Sequence, residues 1–295
     1  MKPTREHTLI GLLTMVLFAM VNIVRAQDAT ATTPETTPAT PPVTTPAATP
    51  EKTPMAAPVA APKEDPWRFG LTVPIWLPQI NGNATVRGHQ QNVDISYSEL
   101  KDHLDASFAL ALDASKGKFD IFGNFGYMKF SGGFSGGLAG SASAELKFMV
   151  ANAGVAYQLV RTEGEHPFIL AETVGVRYWY VSTQLDHNDF TGRRDFHGYN
   201  NTDLFDPVVG LRASQYFTRK LHLDVAGDVG GFNISHDTDM TWSVLGVVAY
   251  DFTKWFTLSA GYQALALDES AGNGSSQKGV DLIFNGAFIG LNFRW

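Results

Sequence analysis

From Trp67 onward, apolar side chains return at every second position in short runs, and the runs are bounded by Gly, Asn, Asp and Pro. Alternation of this period puts one set of side chains on each face of an extended strand. The final run shows it best: Ala287, Ile289, Leu291, Phe293 and Trp295 share one face, and Gly286, Phe288, Gly290, Asn292 and Arg294 share the other. Comparable runs begin at Trp67, Ala106, Lys118, Ser143, Phe168, Asp206, Leu221, Thr241 and Trp255. Nowhere after Trp67 is there the roughly 18-residue apolar stretch that a membrane-spanning helix requires.

The connections are sorted by length. Counting from the first, the odd connections are long or polar: 79–105, 131–142, 184–205, 235–240 and 268–278. The even ones are tight, at 116–117, 161–167, 218–220 and 253–254. Long extracellular loops alternating with short periplasmic turns are the build of an outer-membrane barrel, whereas a soluble sandwich has no reason to sort its loops. The pattern predicts an all-β fold, an antiparallel up-and-down transmembrane β-barrel of ten strands, or eight if the weakest runs are not strands. An even count returns the C-terminus to the periplasmic side. Within the first long connection, Ser96-Tyr97-Ser98-Glu99 reads as a capping box opening a short helix over Leu100 to Leu104.

Composition then divides the chain. Residues 1–26 carry Lys2 and Arg5, an apolar stretch from Leu9 to Met20, and Val24-Arg25-Ala26 ahead of a cut before Gln27: a signal peptide. Residues 27–65 repeat Thr-Pro and Ala-Pro units and bury too little apolar surface to offset ordering, so they form a disordered, extended linker. Residues 66–295 hold nearly all the aromatics and form the barrel. The absence of cysteine excludes disulfides, thiol nucleophiles and cysteine-ligated metals. A net charge of −7 argues against a nucleic-acid partner. Mean hydropathy of −0.07 fits strands that alternate apolar and polar side chains.

If the apolar face meets lipid, the other face lines the lumen. That face supplies Asp113, Asp120, Asn124, Glu145, Lys147, Arg177, Arg212, Asp224 and Asp228. Charges in a narrow barrel persist when paired and hydrogen-bonded. The set therefore reads either as an ion-pair network closing the lumen or as a charged constriction passing small hydrophilic solutes. Glu172 falls out of phase with Val174 to Tyr180, so a bulge is expected there to turn it inward. Aromatics near strand ends, including Trp67, Trp76, Trp242, Trp255 and Trp295, fit interfacial girdles.

No catalytic set, metal site or cofactor motif emerges. Asp186, His187, Asp189, Asp195 and His197 in the third long connection match no known spacing, and His222 has no paired serine. His236-Asp237-Thr238-Asp239 reads as a polar hairpin, and the Gly-rich run 131–140 lacks the lysine of a phosphate loop.

The region after Trp67 resembles a broad group of Gram-negative outer-membrane barrel proteins, outer-membrane-protein-A-like or small porin-like. The pieces that carry the resemblance are the Trp67-to-Trp76 strand, the helix-bearing loop, Gly175 to Trp179, Asp206 to Arg212, Gly227 to Phe232 and Ala260-Gly261-Tyr262. The C-terminal Ile289, Leu291, Phe293 and Trp295 resemble the signal read by the barrel assembly machinery, with Trp where Phe is usual. The resemblance implies a cell outer-membrane location, contact with outer-membrane lipid and lipopolysaccharide, and a linker in the periplasm within reach of peptidoglycan. The group carries no settled activity. The expected role is a non-enzymatic integral barrel serving envelope structure or limited solute passage; the alternative is an outer-membrane hydrolase, a protease or lipid-modifying enzyme, using extracellular rim residues.

Overall fold

Alternating strands with one apolar face have few ways to bury their backbone polar groups in a bilayer, and a closed barrel is one of them. The computed structural model describes residues 65–86, 88–135, 141–188, 196–232, 239–271 and 277–295. The signal peptide, nearly all of the linker, Asp189, Asp195 and His236 to Thr238 lie outside the described residues. The elements are β1 (Arg68–Val86), β2 (His89–Ile95), α1 (Tyr97–Asp102), β3 (Leu104–Lys116), β4 (Phe119–Ser135), β5 (Ser141–Arg161) and β6 (Phe168–Asn188). They continue with β7 (Phe196–Tyr216), β8 (Leu221–Gly231), β9 (Met240–Asp251), β10 (Phe256–Ala271) and β11 (Lys278–Arg294).

Strands β3 to β11 are each hydrogen-bonded to the next in antiparallel order, β3 pairs with β1, and β1 pairs back with β11 from Gly70↔Arg294 to Thr85↔Gly279. Ten strands thus close an up-and-down barrel. Strand β2 is an eleventh, folded back on the upper part of β1. At the lower end the turns are tight: Gly117 adopts φ 61° after β3, and Phe217 N donates to Leu221 O at 2.9 Å between β7 and β8.

The outer wall changes character with height. On β1 the outward residues are Phe69, Leu71, Val73, Ile75 and Leu77, followed by Gln79, Asn81 and Asn83. Phe69 to Gln79 covers about 25 Å at the usual rise and tilt of barrel strands, the height of a hydrocarbon band. Outward residues on other strands are exposed although apolar, such as Val174 at 62 % and Phe119 at 58 %. Rings line the lower edge of the band: Trp67, Phe69 and Trp295 stack in series, and Trp255 stacks on Phe293.

Above the band the pattern inverts. There the outer face meets water and the interior is the dry side. The buried core comprises Ile80, Val93, Ile95, Leu100, Phe130, Leu146, Phe148, Trp179, Val181, Leu204, Leu265, Leu267, Val280, Leu282 and Phe284, with Ala84 among them. Four expectations are corrected by the structure, the first two by this inversion. Much of the first, second, third and fifth long connections is strand, because polar residues that read as loop are the wet face of strands continuing upward. Glu145 and Lys147 lie on the outer face, since Leu146 and Phe148 between and beside them point into the core. Trp76 points inward and packs against the core rather than joining a girdle. Glu172 is exposed on the same face as Val174; the bulge is on the neighbouring strand, between Gln158 and Val160. Glu172 pairs with Tyr157, which pairs with Phe119 at the start of β4, so the carboxylate sits in the lower aromatic row and needs no turn inward.

The short helix forms as the capping box directs. Ser96 is the N-cap, Glu99 N donates to its Oγ, and the Glu99 carboxylate accepts from Ser96 N at 2.9 Å. Leu100 is its buried residue.

Candidate functional site in the barrel interior

The interior of the lower half is polar and cross-linked. Arg177 is its hub, only 2 % exposed. Its Nε donates to Asn152 Oδ1 on β5 at 2.8 Å, Nη1 to Thr241 Oγ1 on β9 at 2.9 Å, and Nη2 to Asp228 Oδ1 on β8 at 2.6 Å. One guanidinium on β6 therefore ties three other strands across the lumen. The network extends outward from these contacts: Asn152 donates to Asn124 Oδ1 at 2.7 Å, Ser243 Oγ donates to Asp228 Oδ2, and Thr241 Oγ1 donates to Ala266 O. Above it, Trp179 Nε1 donates to Asp206 Oδ2 at 2.8 Å, and the Trp179 ring packs edge-on against Phe148.

A second cluster lies lower. Arg212 Nη1 donates to Asp120 Oδ2 at 3.3 Å, and its guanidinium carbon stands 3.8 Å from the centre of the Phe122 ring. Asp113 occupies the space beside Gly70, where a Cβ would come within 2.2 Å of its Oδ1. Glycine at position 70 makes room for an inward carboxylate.

A third cluster lies at the lower mouth. His222 Nδ1 lies 3.0 Å from Asp224 Oδ1, and the Tyr216 ring stacks on the imidazole. Arg294 Nη2 donates to Asp251 Oδ1 at 3.0 Å and to Thr257 Oγ1 at 2.7 Å. Asn292 donates to Ser259 Oγ and accepts from Thr72 Oγ1 at 2.8 Å, tying β11 to β10 and β1.

Of the sequence-derived residues, Asp113, Asp120, Arg177, Arg212, Asp224 and Asp228 point inward and fall into these three clusters. Glu145 and Lys147 form instead an exterior group with Lys129, at 2.9 Å and 2.8 Å. Sequence reasoning missed Thr241, Asn152, Ser243, Asp206, Asp251, Thr257 and Arg294 as members. All occupy the face opposite the apolar one, but uncharged or strand-terminal residues give no separate signal. In the upper rim, His197 Nδ1 lies 2.8 Å from Asp186 Oδ1, with the ring 68 % exposed. Ile289, Leu291 and Phe293 point outward on β11, and Trp295 is bonded through its backbone to Phe69. Among the described residues, no group of three or more His, Cys, Asp or Glu side chains is placed to hold a metal ion.

Closed antiparallel wall, outward apolar band, aromatic girdle and hydrogen-bonded polar interior together define a transmembrane β-barrel. The solved structures similar to it are of that class. The outer membrane protease OmpT of Escherichia coli matches at 10 % identity and TM-score 0.45, over 80 % of this chain and 98 % of that one. Ail, the attachment invasion locus protein of Yersinia pestis, matches at 8 % identity and TM-score 0.33, over 78 % and 99 %. Neisserial surface protein A matches at 12 % identity and TM-score 0.27, over 76 % and 96 %. The likeness is one of strand arrangement and carries no residue role across. No protein-family profile matches the chain, and no curated protein sequence does.

Proposed function

We propose that this chain is an integral, non-enzymatic outer-membrane barrel with an envelope-structural role, its lumen closed to hydrophilic solutes. The observation that carries the reading is Arg177. A buried guanidinium whose Nε, Nη1 and Nη2 are held by three different strands is a cross-brace, not a mobile gating charge. Directly above it the interior is filled by Trp179, Phe148 and Phe284, whose rings contact one another in series. An aqueous path would have to cross both layers. The linker, freed by signal cleavage, hangs in the periplasm at the β1 end and reaches toward peptidoglycan. Strand β11 presents its alternate apolar residues and Trp295 to the barrel assembly machinery.

Two measurements test this. Full-length protein in isolated outer membranes should change apparent mass on SDS gels between unboiled and boiled samples; a soluble protein with no such shift overturns the location. Purified protein in planar bilayers should give no conductance steps; regular steps would overturn the closed lumen.

A further inference from the structure

The ring of strands is closed, but its hydrogen-bonded ladder is interrupted between β1 and β3. Their pairing runs from Arg68↔Ser115 to Thr72↔Ala111 and then stops. Strand β1 next finds a partner on that side at Ile80, where β2 begins to pair. From Val73 to Gln79 on β1, and from Leu104 to Leu110 on β3, the two edges face each other with no ladder pairing between them. The segment from Ile95, which pairs with Ile80 on β1, through helix α1 to His103 crosses the top of this gap, and the His103 carbonyl accepts from Ser131 N on β4.

Three features mark the gap as a built opening. The first is backbone chemistry. Phe69 exchanges both backbone hydrogen bonds with Trp295, the residue after β11, so the alternate residues Pro74, Trp76 and Pro78 direct their backbone toward the gap. Two of these three are prolines, which have no N–H to leave unpaired in lipid. The second is exposure. The first five residues of β3, Leu104 to Phe108, are all exposed, whichever face they occupy. Ser107 pairs with the inward Met128, yet it is exposed, while inward residues of the upper half of β5 are buried. The third is a donor without an acceptor: the buried Trp76 Nε1, behind the β1 edge, has no hydrogen-bond partner.

We propose that this seam is a lateral binding site for one acyl chain of an outer-leaflet lipid. The inference rests on the barrel standing in a bilayer. The gap lies in the upper half of the apolar band, between Val73 and Gln79, where the neighbouring solvent is hydrocarbon near its carbonyl end. The methylene chain lies between the β1 and β3 edges under α1, and an ester or amide carbonyl accepts the Trp76 indole N–H.

The chain contains no cysteine, so single-cysteine variants can each carry one bimane fluorophore. Ser107→Cys reports the inward side of the seam, Phe108→Cys the lipid face beside it, and Val150→Cys an inward position behind a closed wall. Each full-length variant is placed in phosphatidylcholine vesicles whose acyl chains are brominated near the carbonyl end, and in unbrominated ones. Only heat-modifiable protein is used, and Ala109→Cys replaces Ser107→Cys if that variant does not fold. We expect a loss of fluorescence at position 107 comparable to that at 108, and none at 150. Quenching at 108 with none at 107 would overturn the seam while leaving the barrel in place. No quenching at 108 would overturn the bilayer placement and the seam with it.

Discussion

Phe69 and Trp295 exchange two backbone hydrogen bonds, at 3.0 Å and 3.1 Å, and their rings stack with centroids 6.2 Å apart. The first strand and the last residue of the chain are thereby joined at the lower rim. Deleting Trp295 removes both bonds and the ring that covers Phe69. The expected outcome is less heat-modifiable protein in the outer membrane and an unfolding midpoint at lower denaturant, whereas Trp295→Phe should keep most of both. Band-shift gels and urea titration in detergent micelles check this.

Arg177 braces the interior, so removing it strands its partners. Arg177→Met leaves the Asp228 carboxylate inside the barrel without its cation and Asn152 and Thr241 without their donor. Breaking one side of a buried ion pair costs about 3–5 kcal/mol. The double variant Arg177→Met/Asp228→Leu should recover part of that loss, since the uncompensated charge is gone. Reversible urea unfolding in lipid vesicles measures the three free energies.

On the outer wall above the hydrocarbon band, Glu145 accepts from Lys147 and Lys129, and these hydrogen bonds hold its carboxyl below the ordinary 4.5. The same contacts raise both ammonium groups above 10.5. A depressed carboxyl contributes stability that is complete above the unfolded value and is lost as pH falls through the folded one. The lysines contribute below 10.5 and lose their part as pH rises through their raised values. The stability gap between the parent chain and Glu145→Gln should therefore be constant from pH 5 to 10 and close in acid below 4.5. A gap that widens in acid would contradict the assignment.

Two adjacent glycines of one hairpin should respond oppositely to alanine. A Cβ on Gly261 would come within 1.9 Å of the Gly246 carbonyl oxygen, and that atom belongs to the β9–β10 ladder. A Cβ on Gly246 would meet nothing within 4 Å. Gly261→Ala is expected to cost about 1–3 kcal/mol through overpacking, and Gly246→Ala to leave the urea midpoint near that of the parent. Denaturation of the two variants side by side decides it.

The barrel was legible in the chain because two signals agreed: alternation within segments and the sorting of connections between them. The capping box at Ser96 placed α1 to within two residues at its C-terminal end. What escaped was the phase of the upper strands. In β5, the lower outward residues Val155 and Ala153 and the upper inward residues Phe148 and Leu146 are all apolar, yet they lie on opposite faces. A rule that apolar means lipid-facing holds only at bilayer height, so it reversed Glu145 and Lys147. In β1, Gln79, Asn81 and Asn83 alternate with Ile80, Gly82 and Ala84, an alternation whose polar half resembled a loop. The interior partners Asn152, Thr241 and Ser243 escaped for another reason: a neutral side chain becomes notable only when a guanidinium reaches it.

The exchange of faces halfway up β5 also sets what the gene can tolerate. Met149 and Val150, adjacent and both apolar, mark the crossing point. Inserting one residue there would rotate everything above by half a pleat, carrying Phe148 and Leu146 to the wet outside and Lys147 into the dry centre. Inserting two would raise the tip but keep every side chain on its own side. Length variation in this wall should therefore be inherited in even steps, a parity constraint that amino-acid substitution alone does not reveal.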